Sequence, residues 1–371
     1  MANGMTNALY KSRGSVYTVK IDQSNSNPLT CCTYADDAVG MGKGSEAWDD
    51  LFGARPCIMK DGVVVGYLNP DNFAEYVNGT AAPIADTDYD VMIEFPRRGL
   101  SITTEGDVIT ISLTDAPHDS DFNYLAHTRG ETSRNFFYLG AYSATGSSTK
   151  LGSNSGFAPL VNTTLTDFIT YAHNRGDGYE IMGFYQWTYI QALYVLKYGN
   201  LDSQTALGKG VTSASAAVNS GLANTKGMCY GSTSGTDPVK LFGLENAYGN
   251  VWQWLCGLYS DGSRNLLTTT DNFGTATAAS NWEYKVSSGT SGSLGGYMNK
   301  AQGTNNGGFV GKATSGSSST YYCDRASLNP GDFPYVGGRW SDGDPAGVFS
   351  FYVDSSASLS ASSIGSRLMF L

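Results

Sequence analysis

The chain has 371 residues, 41% of them hydrophobic and 12% aromatic, which is enough to bury the core of one large or two ordinary domains. Its formal net charge is −10 and no Lys/Arg cluster is present, which argues against binding to a nucleic-acid backbone. The first twenty residues lack an apolar h-region, and the longest apolar-rich stretch, residues 184–196, is too short to cross a bilayer. We therefore expect neither a signal peptide nor membrane insertion.

The first 85 residues are predicted to form a small, strand-rich region that anchors or assembles the protein. Residues 63–65 are an apolar run typical of a strand. Asn69 and Pro70 follow that run and predict the start of a short helix, because proline suits the first helical turn. Turn-forming and small residues fill 78–88, so we expect a boundary near residue 85 and a second domain over 86–371.

The middle of the chain carries the clearest helical patterns. Two strand-like runs flank residues 105–107 and predict a hairpin. Thr164 and Asp167 form a capping-box pattern before apolar residues at helical spacing, and Gly176 is the expected stop. A second helix is predicted from Phe184 to Gly199. The remainder, residues 205–335, predicts loops and short strands, so the fold class is α+β.

Catalytic and metal-binding patterns are weak in this sequence. The three histidines, at positions 118, 127 and 173, do not have metal-ligand spacing, and a polar turn is favoured over a metal site at residues 118–121. Cys229, Cys256 and Cys323 lack an adjacent base that would activate a thiol, so we expect buried, reduced side chains. We assign no catalytic residue, metal or cofactor.

Two apolar patterns in the carboxy-terminal half predict strands. Gly249-Asn250-Val251-Trp252-Gln253-Trp254 predicts a tight turn followed by a core strand with large aromatic side chains on one face. At the carboxy-terminal end, Phe349, Phe351 and Val353 alternate with Ser350, Tyr352 and Asp354. Because side chains of a strand point alternately to opposite faces, the first three are predicted to fill the core and the other three to face outward.

These segments carry a resemblance to a known family. The sequence GNVWQW at 249–254 resembles the GNVWEW signature of the formylglycine-generating-enzyme family, whose fold is a large variant of the C-type lectin fold. The residues IGSRL at 364–368 resemble the closing GFR strand of that fold, and GGRWSDGDPAGVF at 337–349 resembles the variable region of diversity-generating retroelement target proteins. The resemblance spans about residues 90–371 and implies two helices, short antiparallel strands and long loops.

The same resemblance implies that a reverse transcriptase diversifies the C-terminal segment, defined here as residues 335–371, at adenines of Asn codons. Residues 341–368 contain only amino acids that such mutagenesis can produce. The frame residues that would stay fixed are Trp340, Val348, Phe349, Phe351, Val353 and Ile364. The implied variable, ligand-binding residues are Tyr335, Arg339, Ser341, Asp342, Asp344, Pro345, Ser350, Tyr352, Asp354, Ser355, Leu359, Ala361 and Ser363.

The function implied is that of a receptor-binding display protein at a phage tail or on a cell surface, forming a trimer and binding a protein or glycan receptor. Two alternatives remain open. A formylglycine-generating oxidase needs a pair of copper-binding cysteines near the carboxy terminus, where only Cys323 is available. A calcium-dependent sugar lectin normally carries an EPN or QPD motif, which this sequence lacks, although its many loop Asn and Asp residues leave a structural calcium open.

Overall fold

The computed structural model describes residues 14–115, 121–147, 149–271, 282, 284–287, 289 and 294–371. Across these ranges the chain has an α+β fold with four α-helices and many short, mostly antiparallel strands. The helices are α1 (Ala47–Phe52), α2 (Leu165–His173), α3 (Phe184–Tyr198) and α4 (Ser203–Ala206). A bilayer-spanning helix, long and apolar enough for that role, does not occur in this described part of the chain.

The strands of the amino-terminal half precede α3, and five of them have only two or three residues. They are β1 (Val16–Asp22), β2 (Cys32–Asp36), β3 (Arg55–Lys60), β4 (Val63–Asn69), β5 (Asn72–Tyr76), β6 (Asp90–Pro96), β7 (Gly99–Glu105), β8 (Val108–Thr114), β9 (Thr128–Arg129), β10 (Thr132–Ser133), β11 (Phe136–Gly140), β12 (Thr145–Ser147), β13 (Lys150–Gly152) and β14 (Tyr179–Ile181). A 3₁₀ turn over Leu125–His127 lies between β8 and β9.

The strands of the carboxy-terminal half are shorter still, two to five residues each. They are β15 (Lys240–Leu241), β16 (Leu244–Glu245), β17 (Trp252–Trp254), β18 (Leu258–Ser260), β19 (Leu266–Thr268), β20 (Tyr284–Val286), β21 (Leu294–Tyr297), β22 (Lys300–Ala301), β23 (Gly311–Ala313), β24 (Arg325–Leu328), β25 (Phe333–Val336), β26 (Phe351–Ser355), β27 (Ile364–Gly365) and β28 (Leu368–Phe370).

Both predicted helices are present. The hydroxyl of Thr164 accepts a hydrogen bond from the Asp167 amide at 3.1 Å and donates one to the Asp167 carboxylate at 2.7 Å, so the predicted capping interaction is confirmed. Helix α2 stops at His173, three residues before the predicted glycine. Helix α3 ends where expected, at Gly199 with a left-handed φ of 50°.

The helix predicted after residue 69 is wrong. Asn69 instead ends β4, where it pairs with Asn72 of β5, and Pro70 lies in the turn of the hairpin that these two strands form. The side-chain Oδ1 of Asn69 accepts a hydrogen bond from the Asp71 amide at 3.0 Å, which closes an Asx turn. Proline fits this turn as well as it fits a helix start, and the local pattern does not distinguish the two.

Three sheets contain most of the longer strands. A four-stranded sheet has the order β2-β1-β8-β7, and a seven-stranded sheet has the order β14-β28-β11-β6-β3-β4-β5. The third sheet has six strands in the order β21-β24-β26-β25-β17-β27. The hairpin predicted at residues 105–107 is confirmed, since β7 and β8 pair from Gly99 with Thr114 to Glu105 with Val108.

Two of these sheets run across the predicted boundary at residue 85. Strand β1 pairs along its whole length with β8, and β3 pairs along five residues with β6. The first 85 residues therefore supply strands to the same sheets as the residues that follow. The turn-rich stretch at 78–88 connects β5 to β6, two strands of the same seven-stranded sheet. A boundary near residue 85 therefore does not separate one sheet from another.

Helix α3 forms the centre of the core. Its residues from Phe184 to Lys197 are all buried, which its apolar composition on every side requires. The ring of Phe184 lies 6.2 Å from that of Phe351, and Tyr194 lies 5.8 Å from Phe349, both edge to face. The helix thus supports the C-terminal segment from beneath. Lys197 at its end is buried and forms an ion pair with Asp49 of α1.

Arg367 fastens the end of the C-terminal segment to the rest of the fold. Its guanidinium is completely buried and donates hydrogen bonds to Oε1 of Gln253 and to three backbone carbonyls. Those carbonyls belong to Gly140, Glu245 and Asn246, at 2.7 to 3.0 Å. One side chain thereby joins β11, β16 and β17, so the arginine of the predicted closing motif is structural.

Candidate ligand-binding surface

Strand β26 places the C-terminal segment in the middle of the six-stranded sheet. It pairs in parallel with β24 and antiparallel with β25. Phe351 and Val353 are fully buried, whereas Tyr352 between them is only partly buried on the other side. Because side chains alternate along a strand, this sheet has an inner face against α3 and an outer face to which Tyr352 belongs. The predicted inward orientation of Phe349, Phe351 and Val353 is confirmed.

The predicted outward orientation of Ser350 is wrong, because its side chain is completely buried. Strand β26 begins only at Phe351, so the alternation does not extend back to position 350. Ser350 ends a turn in which its amide donates to the Gly347 carbonyl at 3.2 Å, and its own carbonyl accepts from the Gly337 amide at 3.0 Å. Its hydroxyl has no hydrogen-bond partner among the described residues. A side chain that varied at this position would be buried rather than presented to a ligand.

An open cavity of about 380 Å³ lies at one end of the outer face. It gathers residues from four separate parts of the chain, and five of them belong to the predicted ligand-binding set. The lining residues are Trp252, Arg325, Arg339, Ser341, Asp342, Pro345 and Tyr352. A volume in this range is typical of small-molecule and side-chain binding sites, about 300–1,000 Å³.

Three aromatic rings form the floor beside this cavity. Trp252 lies 4.7 Å from the ring of Tyr352 and 5.0 Å from that of Tyr335, and the two tyrosine rings are 5.7 Å apart. Trp252 is only 7% exposed and Tyr335 only 8%. Burial raises the pKa of both tyrosines, so their phenols stay protonated and can donate hydrogen bonds. Tyr352 is therefore the aromatic side chain of this trio that a ligand can contact most fully.

The loop before β26 forms the cavity wall and is held by Arg339. The Nε atom of Arg339 donates to Oδ1 of Asp342 at 2.9 Å, and the Arg339 amide donates to Oδ2 at 3.0 Å. The backbone of Trp340 is bonded on both sides, to the Asn250 carbonyl at 3.0 Å and the Ala214 amide at 2.7 Å. These bonds fix the loop, and Ser341 and Asp344 are left exposed on it.

The predicted positions from the last residue of β26 onward are less accessible than expected. Ser355, Leu359 and Ala361 are partly buried, and Ser363 is only 7% exposed. The exposed side chains in this stretch are instead those at the even-numbered positions between the predicted ones, namely Ser356, Ser358, Ser360 and Ser362. The reason is that the loop packs on the start of α2, where the Asn162 amide donates to the Ala361 carbonyl and the Leu165 amide to that of Ala357.

Two residues outside the C-terminal segment belong to the same surface. Trp252 comes from β17, and Arg325 is the exposed first residue of β24. Arg325 reaches this place because β24 runs parallel to β26, with Ser327 opposite Tyr352. The pairing of strands distant in sequence is not visible in a local pattern. A local signal for the outward orientation of Arg325 was nevertheless available. In β24 the polar residues Arg325 and Ser327 alternate with the apolar residues Ala326 and Leu328, which are buried.

The buried cysteine and histidine side chains have shifted pKa values. Cys323 is buried and its thiol pKa is raised, chiefly by burial, which opposes thiolate formation. His127 is fully buried, and burial lowers its pKa to about 4. In the part of the chain described here, no group of three or more His, Cys, Asp or Glu side chains could hold a metal ion. The predicted turn at His118 lies outside the described residues.

Comparison with known proteins gives only distant structural similarity. No family model matches the sequence, and no curated protein matches it. Among solved structures, the chain is similar to "Major Tropism Determinant U1 Variant" at 12% identity and a TM-score of 0.29, over 97% of this chain and 72% of that one. It is also similar to "Treponema denticola variable protein 1" at 11% identity and a TM-score of 0.34, over 76% and 95% of the two chains. These values do not establish membership of a family.

Proposed function

We propose that this protein displays a ligand-binding surface and attaches to a macromolecular receptor through the outer face of the six-stranded sheet. In this proposal the fold is a C-type lectin fold of the formylglycine-generating-enzyme type, as the motifs at 249–254 and 337–349 imply. The retroelement-directed variation of the C-terminal segment and its location at a phage tail or cell surface belong to the same proposal.

The observation that carries the proposal is the convergence of Arg339, Ser341, Asp342, Pro345 and Tyr352 on one open cavity. The frame residues beneath these positions have a different role. Val348, Phe349, Phe351 and Val353 are fully buried against α3 and its neighbours. Stability and recognition are thereby assigned to different side chains, which is what a surface that changes between copies of a gene requires, since most exposed substitutions cost less than about 0.5 kcal/mol.

Assembly into a trimer is also proposed, on the resemblance to phage tropism determinants. Three copies of a weak site that engage one surface together would raise the apparent affinity by about 10²–10⁴-fold. A single site rich in small, hydroxyl-bearing side chains is expected to bind weakly, because Tyr, Trp and Arg side chains contribute most of the binding energy at protein interfaces. Several copies would compensate for that weakness.

The experiment is a comparison of two display libraries made in the full chain. The first library randomises five positions on the cavity and its loop, namely Ser341, Asp342, Asp344, Pro345 and Tyr352. The control library randomises five exposed positions on and beside β4 and β5, namely Val63, Val65, Val77, Asn78 and Thr80. Both are selected for binding to the same panel of folded target proteins after sorting for folded, protease-resistant chains.

We expect the cavity library to stay mostly folded and to yield specific binders to several targets, and the control library to yield far fewer. Equal yields from the two libraries would contradict the proposal, because any exposed surface would then serve. The genetic part has a separate test. A near-copy of the DNA that encodes residues 335–371, differing only at adenines and adjacent to a reverse-transcriptase gene, is expected beside this gene.

A further inference from the structure

The guanidinium of Arg325 stands in the cavity wall without a carboxylate of its own. Arg325 is exposed, its amide donates to the Pro345 carbonyl at 3.2 Å, and its guanidinium carbon lies 5.8 Å from the ring centre of Tyr297. Within the residues the structure describes, its side chain forms no ion pair and no hydrogen bond. A cation held over an aromatic ring and open to solvent is free to bind an anion.

Two carboxylates near Tyr352, those of Asp342 and Asp354, are already engaged by other donors. Both oxygens of Asp342 accept hydrogen bonds from Arg339, one from the side chain and one from the amide. Oδ1 of Asp354 accepts a 2.6 Å hydrogen bond from Tyr335. Neither carboxylate is available to Arg325 without breaking a bond that holds the loop or the sheet.

The charges that line the cavity therefore add up to one positive charge, from two arginines and one aspartate. This contrasts with the net charge of −10 on the whole chain. Arginine binds carboxylates through two parallel hydrogen bonds, and such charge-assisted pairs are among the strongest polar contacts. Tyr352, beside it, offers a hydroxyl and a ring edge. Trp252 is too buried to offer an open platform for a sugar ring, so the lining favours a peptide side chain.

We infer that the cavity binds an acidic side chain of a protein ligand and that Arg325 is its anchor. This inference rests on the proposed function and adds the chemical class of the partner. Arg325 lies outside the C-terminal segment, so it stays constant while Arg339, Ser341 and Asp342 vary around it. Each variant of the surface would then share one contact and differ in the rest.

The test uses the full chain labelled with ¹⁵N-arginine and two short probes, N-acetyl-Glu-Tyr-amide and N-acetyl-Gln-Tyr-amide. The Nε–Hε signal of Arg325 is identified by its loss in Arg325→Gln. We expect the glutamate probe to shift this signal and to bind at least about tenfold more tightly than the glutamine probe. We also expect its affinity to fall as salt rises from about 20 to 300 mM, because the contact is partly exposed.

Four variants separate this contact from general electrostatics. Arg325→Gln is expected to remove the preference for the glutamate probe, and Arg325→Lys to retain part of it. Arg134→Gln, which removes another exposed arginine that does not line the cavity, is the matched control and is expected to leave the preference unchanged. Asp344→Asn, which removes an exposed carboxylate from the loop, is expected to strengthen binding. Thermal unfolding confirms that each variant is folded.

The inference would be overturned if the two probes bound equally well. It would also be overturned if Arg325→Gln and Arg134→Gln reduced the preference for the glutamate probe by the same amount. Arg325-dependent binding of methyl glucuronide with none of the glutamate probe would overturn it as well, since the ligand would then be an acidic sugar. The cavity library repeated on an Arg325→Gln background separates this inference from the proposed function. Binders found as often without Arg325 would overturn the inference alone, whereas no binders in either background would contradict the function itself.

Discussion

The phenol of Tyr335 donates a 2.6 Å hydrogen bond to Oδ1 of Asp354 and so joins β25 to β26 across the outer face. Both residues belong to the predicted variable set. Tyr335 is also packed against Trp252 and Trp254 at 5.0 and 5.3 Å. A substitution at either end leaves the other without its partner, so these two positions are not independent of each other.

We predict that Tyr335→Phe and Asp354→Ala each lower the free energy of unfolding by about 1–2 kcal/mol, because each removes the hydrogen bond between the Tyr335 hydroxyl and the Asp354 carboxylate. The double variant is expected to cost clearly less than the sum of the two, as shared partners are coupled. Urea unfolding of the four proteins in this cycle measures the coupling. Strictly additive effects would show that the bond contributes nothing to stability.

The buried hydroxyl of Ser350 leads to an unusual prediction for a position once expected to vary. Ser350→Ala should be neutral or stabilising, because it removes a buried polar group that lacks a partner. Ser350→Asn should be destabilising by about 1–3 kcal/mol, since a larger side chain overpacks the site. Thermal unfolding distinguishes the two. If Ser350→Asn unfolded at the same temperature as the original protein, position 350 would tolerate variation after all, as the sequence predicted.

Because frame residues are buried and surface residues are exposed, substitutions at two positions less than ten residues apart are predicted to change the free energy of unfolding by very different amounts. Phe349 is fully buried, with the rings of Phe309 and Tyr322 at 5.5 and 5.1 Å. Phe349→Ala should cost about 3–5 kcal/mol, as for other large-to-small core changes. Ser341 is exposed, and Ser341→Tyr should change stability by less than about 0.5 kcal/mol. Denaturant midpoints give both values, and similar losses at the two sites would remove the basis for a tolerant surface.

His173 and Glu180 give the protein a pH-dependent contribution to stability. Nε2 of His173 lies 2.8 Å from Oε2 of the fully buried Glu180, and this hydrogen bond raises the pKa of His173 above its ordinary value of 6.5. Because the folded state binds this proton more tightly, the contribution is complete below the unfolded pKa and is lost as pH rises through the raised value. Its size is about 0.5–1 kcal/mol, since His173 is half exposed.

We expect His173→Gln to destabilise the protein below pH 6 and to match the original protein at pH 9. Urea unfolding at a series of pH values measures the difference between the two proteins. Arg175→Gln is a useful contrast because Arg175 forms an ion pair with the buried Asp90. Arginine side chains, unlike histidine, keep their proton at pH 9, so the effect of this substitution should persist there. A His173→Gln difference that does not change with pH would mean that this histidine is not protonated in the fold.

Local periodicity predicted those parts of the fold that depend on neighbours in sequence. The capping interaction at Thr164, the stop at Gly199 and the buried side of β26 are of this kind, because each is decided within one turn or one strand. Ser350 was misassigned because the position where a strand begins depends on the turn before it. Arg325 was not identified as a candidate because a parallel pairing of β24 with β26 brings it to the cavity, and local patterns do not encode such pairings.

Strand β28 is inserted between β11 and β14 in the seven-stranded sheet. That sheet cannot be completed until residues 368–370 have left the ribosome, and every residue of the predicted variable set, which runs from Tyr335 to Ser363, is translated earlier. A premature stop at any of these positions deletes β28 and leaves the edges of β11 and β14 that pair with it without a partner strand. A chain that ends within the predicted variable set therefore lacks the strand that joins β14 to the rest of this sheet.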